Sequence, residues 1–421
     1  MNGSSPTAAA LQASVAGVVD LVRRHEVWRR STVNLIASEN VLSPAVRRVL
    51  DSDLEGRYAD YPGRDLRERR YRGNRFIVEI EEQTNALARA VFRASFVELR
   101  PLAGHIAGVA VLMGLCHPGD TVLELGRDGG GHREAGRLVA APLAPLQVQS
   151  LPFDGARYNV DVKASIELIH RIRPQVVILG SSNFLFPHPV HELVDVVHEH
   201  GGYLVYDGSH VMGFLAAQRF QDPLGEGADL VFGSTHKTFP GPQGGIIFSN
   251  RDDLMARVTG ALVPALVTNH HPFRMPGMAV ALLEMQAFGA AYADAVRANA
   301  QALGDALAQQ GVPAVLVDGR YSQSHCLLAK VAGFGSGAEV AGRLESAGII
   351  TTSALLPDVQ GTEGIRIGVQ ELTRLGAVPA TMAEVGRLIA EAAAARRPLA
   401  AIAADAAALM ATLGPIGYTV S

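Results

Sequence analysis

The stretch STHKTFPGPQGG, residues 234–245, sets Lys237 between a histidine and a glycine-rich turn, directly after the apolar run ADLVFG. A solvated lysine needs no such setting. A lysine that bonds covalently to a carbonyl does, because it must be desolvated and held at the end of a rigid element. Upstream, the β-rich run YLVYD ends on Asp207, with His210 three residues further on. In an open α/β sheet the ends of neighbouring strands face one crevice, where ligands bind. An acid and a lysine delivered to that crevice suit pyridoxal phosphate. The lysine holds it as a Schiff base, and the carboxylate keeps the pyridine nitrogen protonated so that the ring draws electrons from a substrate Cα. Taken singly, Asp207 has a helix cap and Lys237 a solvated loop as ordinary structural readings. With His210 and the glycine-rich turn they point to a cofactor.

The chain that must position these residues is 421 residues long and 48% hydrophobic, enough for one large domain and a smaller one. A formal charge of −4 and a pI of about 6.4 leave no global basic footprint for nucleic acid. Cys116 and Cys326 show neither metal nor disulfide spacing, and no metal site is expected. No targeting signal and no bilayer-length apolar stretch is visible, so a reduced, cytoplasmic protein away from membranes is expected. The first dozen residues, small and polar, read as loose, and VAGVVDLVRRHEVWRR reads as an amphipathic helix ending near Arg30. From about Ser43 to Ala290, helical patterns alternate with TVLEL, QVVILGSS, GYLVYDGSH, ADLVFGST and GGIIFSN, which predicts a mostly parallel, layered α/β sheet. Beyond an alanine-rich helix near 279–310, VPAVLVDG, HCLLAKV, a helix from about Ala338 to Ser346 and GIRIG fit a smaller α+β domain. The expected division is an arm and helix over 1–42, a cofactor-binding domain over 43–290 and a small domain over 291–421.

NLIASEN, YPGR, HPGDTVL, GGGH, YDGSH, STHKTFPGPQGG and GIRIG occur in the order seen in serine hydroxymethyltransferases, and the chain resembles that family from about Thr32 to Gly376. The resemblance implies a fold-type-I pyridoxal-phosphate enzyme with a mostly parallel, mixed seven-stranded sheet, acting on a small amino acid as a homodimer with shared active sites. It implies Lys237 as the Schiff-base lysine with His236 beside it, and Asp207 on the pyridine nitrogen. His210 and Ser182 fall near the phenolic oxygen, and His132 of GGGH over the ring. Arg366 of GIRIG matches the residue that grips the substrate carboxylate, a role suited to its planar fork. Ser38 and Tyr58 match substrate-side positions.

Several positions depart from the family pattern. YADYPG is one residue shorter than the family's loop, so its proton-handling glutamate is at best Asp60, and Tyr71 or Arg72 stands where a second tyrosine is expected. The phosphate cup, normally Ser-Gly-Ser, reads Ala103, Gly104, His105. A helix start can still hold an anion through backbone N–H groups. The neighbouring subunit's phosphate-capping glycines align with Thr268 and Asn269. Arg127 and Arg133 replace apolar walls of the folate slot, which argues against tetrahydrofolate and for a polar substituent on the substrate. The expected activity is therefore Cα chemistry without folate, first on an S-substituted cysteine in antibiotic biosynthesis (C–S β-elimination or decarboxylative oxidative deamination). Threonine aldolase or transaldolase comes second and hydroxymethyl transfer third; a non-catalytic binding protein on the same fold is the rival class. His188, His191, His198 and His200 read as a solvated helix face, and His270 and His271 as candidates to approach a neighbouring site.

Overall fold

A computed structural model describes residues 7–140, 145–356 and 363–420. Five helices matter for the site: α1 (Ala8–Arg30), α2 (Gly104–Leu115), α3 (Glu134–Leu138), α4 (Arg274–Gln309) and α5 (Pro379–Ala393). Ten strands matter with them: β1 (Phe96–Glu98), β2 (Thr121–Leu125), β3 (Gln147–Leu151), β4 (Val176–Leu179), β5 (Tyr203–Asp207), β6 (Leu230–Ser234), β7 (Gly245–Ser249), β8 (Cys326–Lys330), β9 (Thr352–Leu355) and β10 (Glu363–Gly368).

The first seven strands form one sheet in the order β1-β7-β6-β5-β4-β2-β3. Strand β7 runs antiparallel to both neighbours, and the other pairings are parallel. Burial explains the sequence of its centre. Strands β4, β6 and β7 are buried at every position, as a sheet covered on both faces requires, and so read as unbroken apolar runs and not as alternation. Helix α2 covers one face and is apolar nearly all round, because it is enclosed between the sheet and a neighbouring helix. In the β5–β6 register Asp207 lies opposite Phe232, so the acid closes β5 just where β6 is about to deliver Ser234 and then Lys237.

A second sheet, β8-β10-β9, is antiparallel, with Arg366 on its central strand opposite Leu328 and Thr352. The expected strand VPAVLVDG does not join it as a strand and makes only isolated bridges, Ala314 to Ala329 and Val317 to Arg320. Pro313 deprives that segment of an N–H. The 36-residue helix α4 packs on helices Pro44–Leu50, Arg75–Phe92, Met212–Ala217 and α5, and the division expected at 290/291 falls inside it.

Helix α1 starts at Ala8, where the Thr7 side chain accepts the Ala10 N–H, so helix replaces the loose segment expected up to residue 12; residues 1–6 lie outside the described residues. None of its residues is buried, and it exposes Val15, Val18, Val19, Leu21, Val22 and Val27. His188 also corrects the sequence reading. It is buried against Phe184, with ring centroids 4.2 Å apart, and burial pushes its pKa down to about 3. His191 and His198 are exposed and His200 half-buried, as a solvated face expects, with His198 bonding Asp229 at 2.9 Å and His200 bonding His170 at 2.9 Å. Among the described residues no helix is long and apolar enough to cross a membrane.

Candidate active site

Three loops at strand ends converge on Lys237. After β4, Gly180 lies so close to β5 that a Cβ there would stand 2.6 Å from that of Asp207. After β5, Asp207 is buried and its Oδ1 accepts the Ser209 N–H at 2.9 Å, which turns the chain towards His210. After β6, Thr238 donates to the His210 carbonyl at 2.9 Å and accepts the Gly213 N–H at 3.0 Å, which clamps the lysine loop onto the histidine loop. Asn40 completes the clamp from the NLIASEN segment, donating to the Lys237 carbonyl at 2.7 Å and to the Tyr292 hydroxyl at 3.0 Å. Ser38 is part-buried in that segment, one residue beyond Ala37, which packs on Gly368 of β10.

The Lys237 ammonium has no hydrogen-bond partner among the described residues. Burial lowers its pKa to about 8; Asp207 opposes that shift and Arg366 adds to it. His236 beside it is lowered to about 4, first by burial and then by the lysine charge, and its Nδ1 is unpartnered. His210 is fully enclosed and held well below the usual histidine range, by burial first and then by Lys237 and Arg366. It stacks on His325 at 5.6 Å. His325 donates from Nε2 to the Ala37 carbonyl at 3.0 Å, so its hydrogen is on Nε2. His210 Nδ1 faces that N–H at 3.5 Å as an acceptor, which leaves the His210 hydrogen on Nε2.

Arg366 reaches across from β10 and donates to the Ser182 carbonyl at 2.9 Å, while its Nε has no partner. Ser182 is held in turn by its N–H to Gly130 at 2.8 Å, and Ser181 bonds the same carbonyl at 3.0 Å. That fixes the GGGH loop and brings His132 to the site. Arg137 donates to His132 Nε2 at 3.0 Å, so His132 Nδ1 carries the hydrogen it gives to Glu134 at 2.9 Å. The other oxygen of Glu134 lies 2.5 Å from Nδ1 of His105, at the start of α2. Gly104 sits against Ser234, its would-be Cβ 2.3 Å from the serine Oγ, so this helix start faces the same crevice.

The remaining expected residues stand elsewhere within one chain. Tyr58 and Tyr71 form an exposed pair at 5.3 Å, and Arg72 beside them is exposed. Asp60 lies 3.6 Å from Arg70. Thr268 is exposed, and Asn269 keeps an unpartnered Oδ1. Arg127 is exposed, whereas Arg133, in a left-handed conformation (φ 61°), lies beside Glu124. His270 is spent on Glu81, which also holds Arg69, and Tyr61 lies between the guanidinium groups of Arg69 (4.4 Å) and Arg100 (4.1 Å). The sequence reading missed Asn40, Glu134 and the site role of His325. Only Glu134 carried a local signal, an acid two residues after His132.

These groups fit pyridoxal phosphate. A lysine with a lowered pKa and no partner faces a buried carboxylate, unpartnered nitrogens of His236 and Arg366 line the same space, and an uncapped helix start opens onto it. The serine hydroxymethyltransferase family model matches residues 11–389. The chain belongs to the serine hydroxymethyltransferase family. It is 43% identical over 390 residues to the serine hydroxymethyltransferase of Methanopyrus kandleri, covering 91% of this chain and 90% of that one. With that of Thermococcus kodakarensis it shares 41% over 383 residues, 88% of each chain. Among solved structures it is similar to the L-threonine transaldolase of Pseudomonas fluorescens in its internal aldimine state, with a TM-score of 0.89 and 27% identity, over 98% of this chain and 96% of that one. This family member is therefore a fold-type-I pyridoxal-phosphate enzyme acting at Cα of an amino acid.

Proposed function

We propose that the enzyme breaks and makes the Cα–Cβ bond of a β-hydroxy amino acid, passing the glycine unit from threonine to a second aldehyde without tetrahydrofolate. The observation that carries this reading is the near-complete overlap with a threonine transaldolase, over 98% of this chain, joined to a site that keeps Lys237, Asp207, His210 and Arg366 together. Arg127 and Arg133, at sequence positions that are apolar in the folate slot of the family, support the omission of folate.

The bound cofactor supplies an electron sink for the pair left at Cα when a bond there breaks. Arg366 binds the α-carboxylate through the donors it does not spend on Ser182. Asp207 would hold the proton on the pyridine nitrogen, His210 through its Nε2–H and Ser182 would serve the phenolic oxygen, and His132 would lie over the ring. Lys237, neutral above about pH 8, carries the proton to and from Cα, with His236 and Ser38 lining its approach. Loss of the β-hydroxyl proton to Asp60, with Tyr58, Tyr71 and Arg72 around it, releases acetaldehyde; the reverse steps on the incoming aldehyde return that proton to the new hydroxyl. These loop residues, with Thr268 and Asn269, come from a second copy of the chain. The support for a homodimer is α1, whose 23 residues include none that is buried.

The test incubates holoenzyme with L-threonine, alone and with benzaldehyde, and identifies products by mass. Acetaldehyde and a new phenyl-substituted β-hydroxy amino acid are expected. Thiol or decarboxylated aldehyde from a bulky S-substituted L-cysteine, with threonine untouched, would put C–S processing in its place. Turnover of serine only with tetrahydrofolate would restore hydroxymethyl transfer. A protein that stays colourless with added cofactor would favour the non-catalytic reading.

A further inference from the structure

We propose that His105, seated on Glu134, is the cation that grips the cofactor phosphate at the start of α2, in place of a hydroxyl cup. The inference rests on pyridoxal phosphate being the cofactor and concerns only how this chain holds it. Ala103 at the helix N-cap offers no side-chain acceptor, so the first N–H groups of α2 have no intrahelical partner. With the helix dipole behind them they favour an anion. Gly104 brings that end against Ser234, three residues before Lys237.

His105 is the one side chain at this helix start with donors, and Glu134 decides its charge. Burial pushes the Glu134 carboxyl up, but hydrogen bonds from His105 and His132 outweigh it and hold it below the usual range. The carboxylate of Glu134, 2.5 Å from Nδ1, in turn raises the His105 pKa, with burial and Arg137 opposing. With Nδ1 turned to Glu134, the Nε2–H of His105 is left to donate elsewhere. Arg274 adds positive charge behind the same loop. It is buried, bonds the carbonyls of Leu99 (3.1 Å) and Pro101 (3.2 Å), and has no carboxylate partner among the described residues. Glu134 is thus a positioning residue for two rings at once, the one over the cofactor and the one at its phosphate.

The ligand atoms of His105, His132 and Glu134 all lie within 4.8 Å of one another, which also suggests a metal. Spacing argues against it. Two ligands on one tetrahedral zinc stand roughly 3.3 Å apart, whereas the two imidazole nitrogens lie 2.5 and 2.9 Å from the Glu134 oxygens, too close to share one ion.

The experiment compares the affinity of cofactor-free enzyme for pyridoxal phosphate and for pyridoxal, by absorbance titration between pH 7 and 9. Both ligands need Lys237, so their ratio isolates the phosphate grip. In His105→Ala the pyridoxal phosphate affinity should fall about tenfold to a hundredfold with pyridoxal unchanged. In the wild type the ratio should decline as rising pH discharges His105, which faces Glu134, His132 and Arg137. Glu134→Gln keeps the shape and should flatten that decline. Equal losses for both ligands, or no loss, in His105→Ala would overturn the proposal. So would a wild-type preference for the phosphate that a chelator abolishes and zinc restores, which would make the triad a metal site. A wild type that takes up neither ligand would instead refute the cofactor assignment itself.

Discussion

Replacing Lys237 with methionine should stabilise the cofactor-free enzyme, and by an amount that depends on pH in a way the site dictates. The lysine ammonium is enclosed without a hydrogen-bond partner among the described residues, and its pKa stands at about 8 against an ordinary 10.5. Each unit of that difference is worth about 1.4 kcal/mol. Because the folded pKa is depressed, the unfolded chain binds more protons between these two values, and wild-type stability rises with pH across that window. At pH 7 nearly the whole difference is felt, and the lysine costs the folded state about 3 kcal/mol; at pH 9 the cost is about 2 kcal/mol. Methionine cannot titrate and fits a similar volume. The advantage of Lys237→Met over wild type should therefore shrink by about 1 kcal/mol between pH 7 and pH 9. Urea unfolding followed by circular dichroism at both pH values, at one protein concentration, measures it. Packing changes enter equally at the two pH values and cancel in the comparison. An advantage that stays constant, or grows with pH, would mean that the amine is solvated in the cofactor-free protein and that the crevice is not the desolvated site described.

The same wild-type protein should take up pyridoxal phosphate at a rate that climbs with pH and levels off above about pH 8, where Lys237 is neutral; a rate still climbing past pH 9.5 would contradict this. Arg366→Lys loses the planar fork and should raise KM for the amino acid about tenfold or more, leaving the cofactor absorbance unchanged, a split read directly from steady-state kinetics. Glu81→Ala leaves the buried Arg69 unpaired and removes the partner of His270. It should cost about 3–5 kcal/mol in unfolding and open residues 57–73 to proteolysis. Val18→Lys with Val22→Lys on α1 should drive the protein towards monomer in sedimentation, and activity should fall with the dimer fraction.

The grouping of Asp207 and Lys237 was legible because both sit at strand ends. Asp207 and Lys237 each close a run of apolar residues, and the parallel register that brings them together follows from those runs. Pairings between side chains distant in sequence could not be read. His105 meets Glu134 only because α2 and α3 begin at the same end of the sheet, and His325 meets His210 only because β8 begins beneath the crevice. His188 was misread for a related reason: spacing along a helix does not reveal that it precedes the helix and turns into the core. The segment VPAVLVDG has strand composition, yet Pro313 and its place at the margin of the small sheet leave it with isolated bridges only. The approach of Tyr71 to Tyr58 depends on how the extended, charged loop folds back, which local pattern does not encode.

Helix α4 bears on how the molecule comes apart. Its 36 residues span roughly 54 Å, with one end wedged among helices beside the large sheet and the other packed on α5 and against β8 of the small sheet. A hinge needs a few residues free to change φ and ψ, and this connection has none to spare, since bending it breaks consecutive hydrogen bonds of a single helix. The halves that contribute Lys237 and Arg366 share one stiff spar, so the distance between the two side chains is set when the chain folds and not when a ligand arrives. Loss of either half should strip the spar of its packing and bring the other down in the same transition.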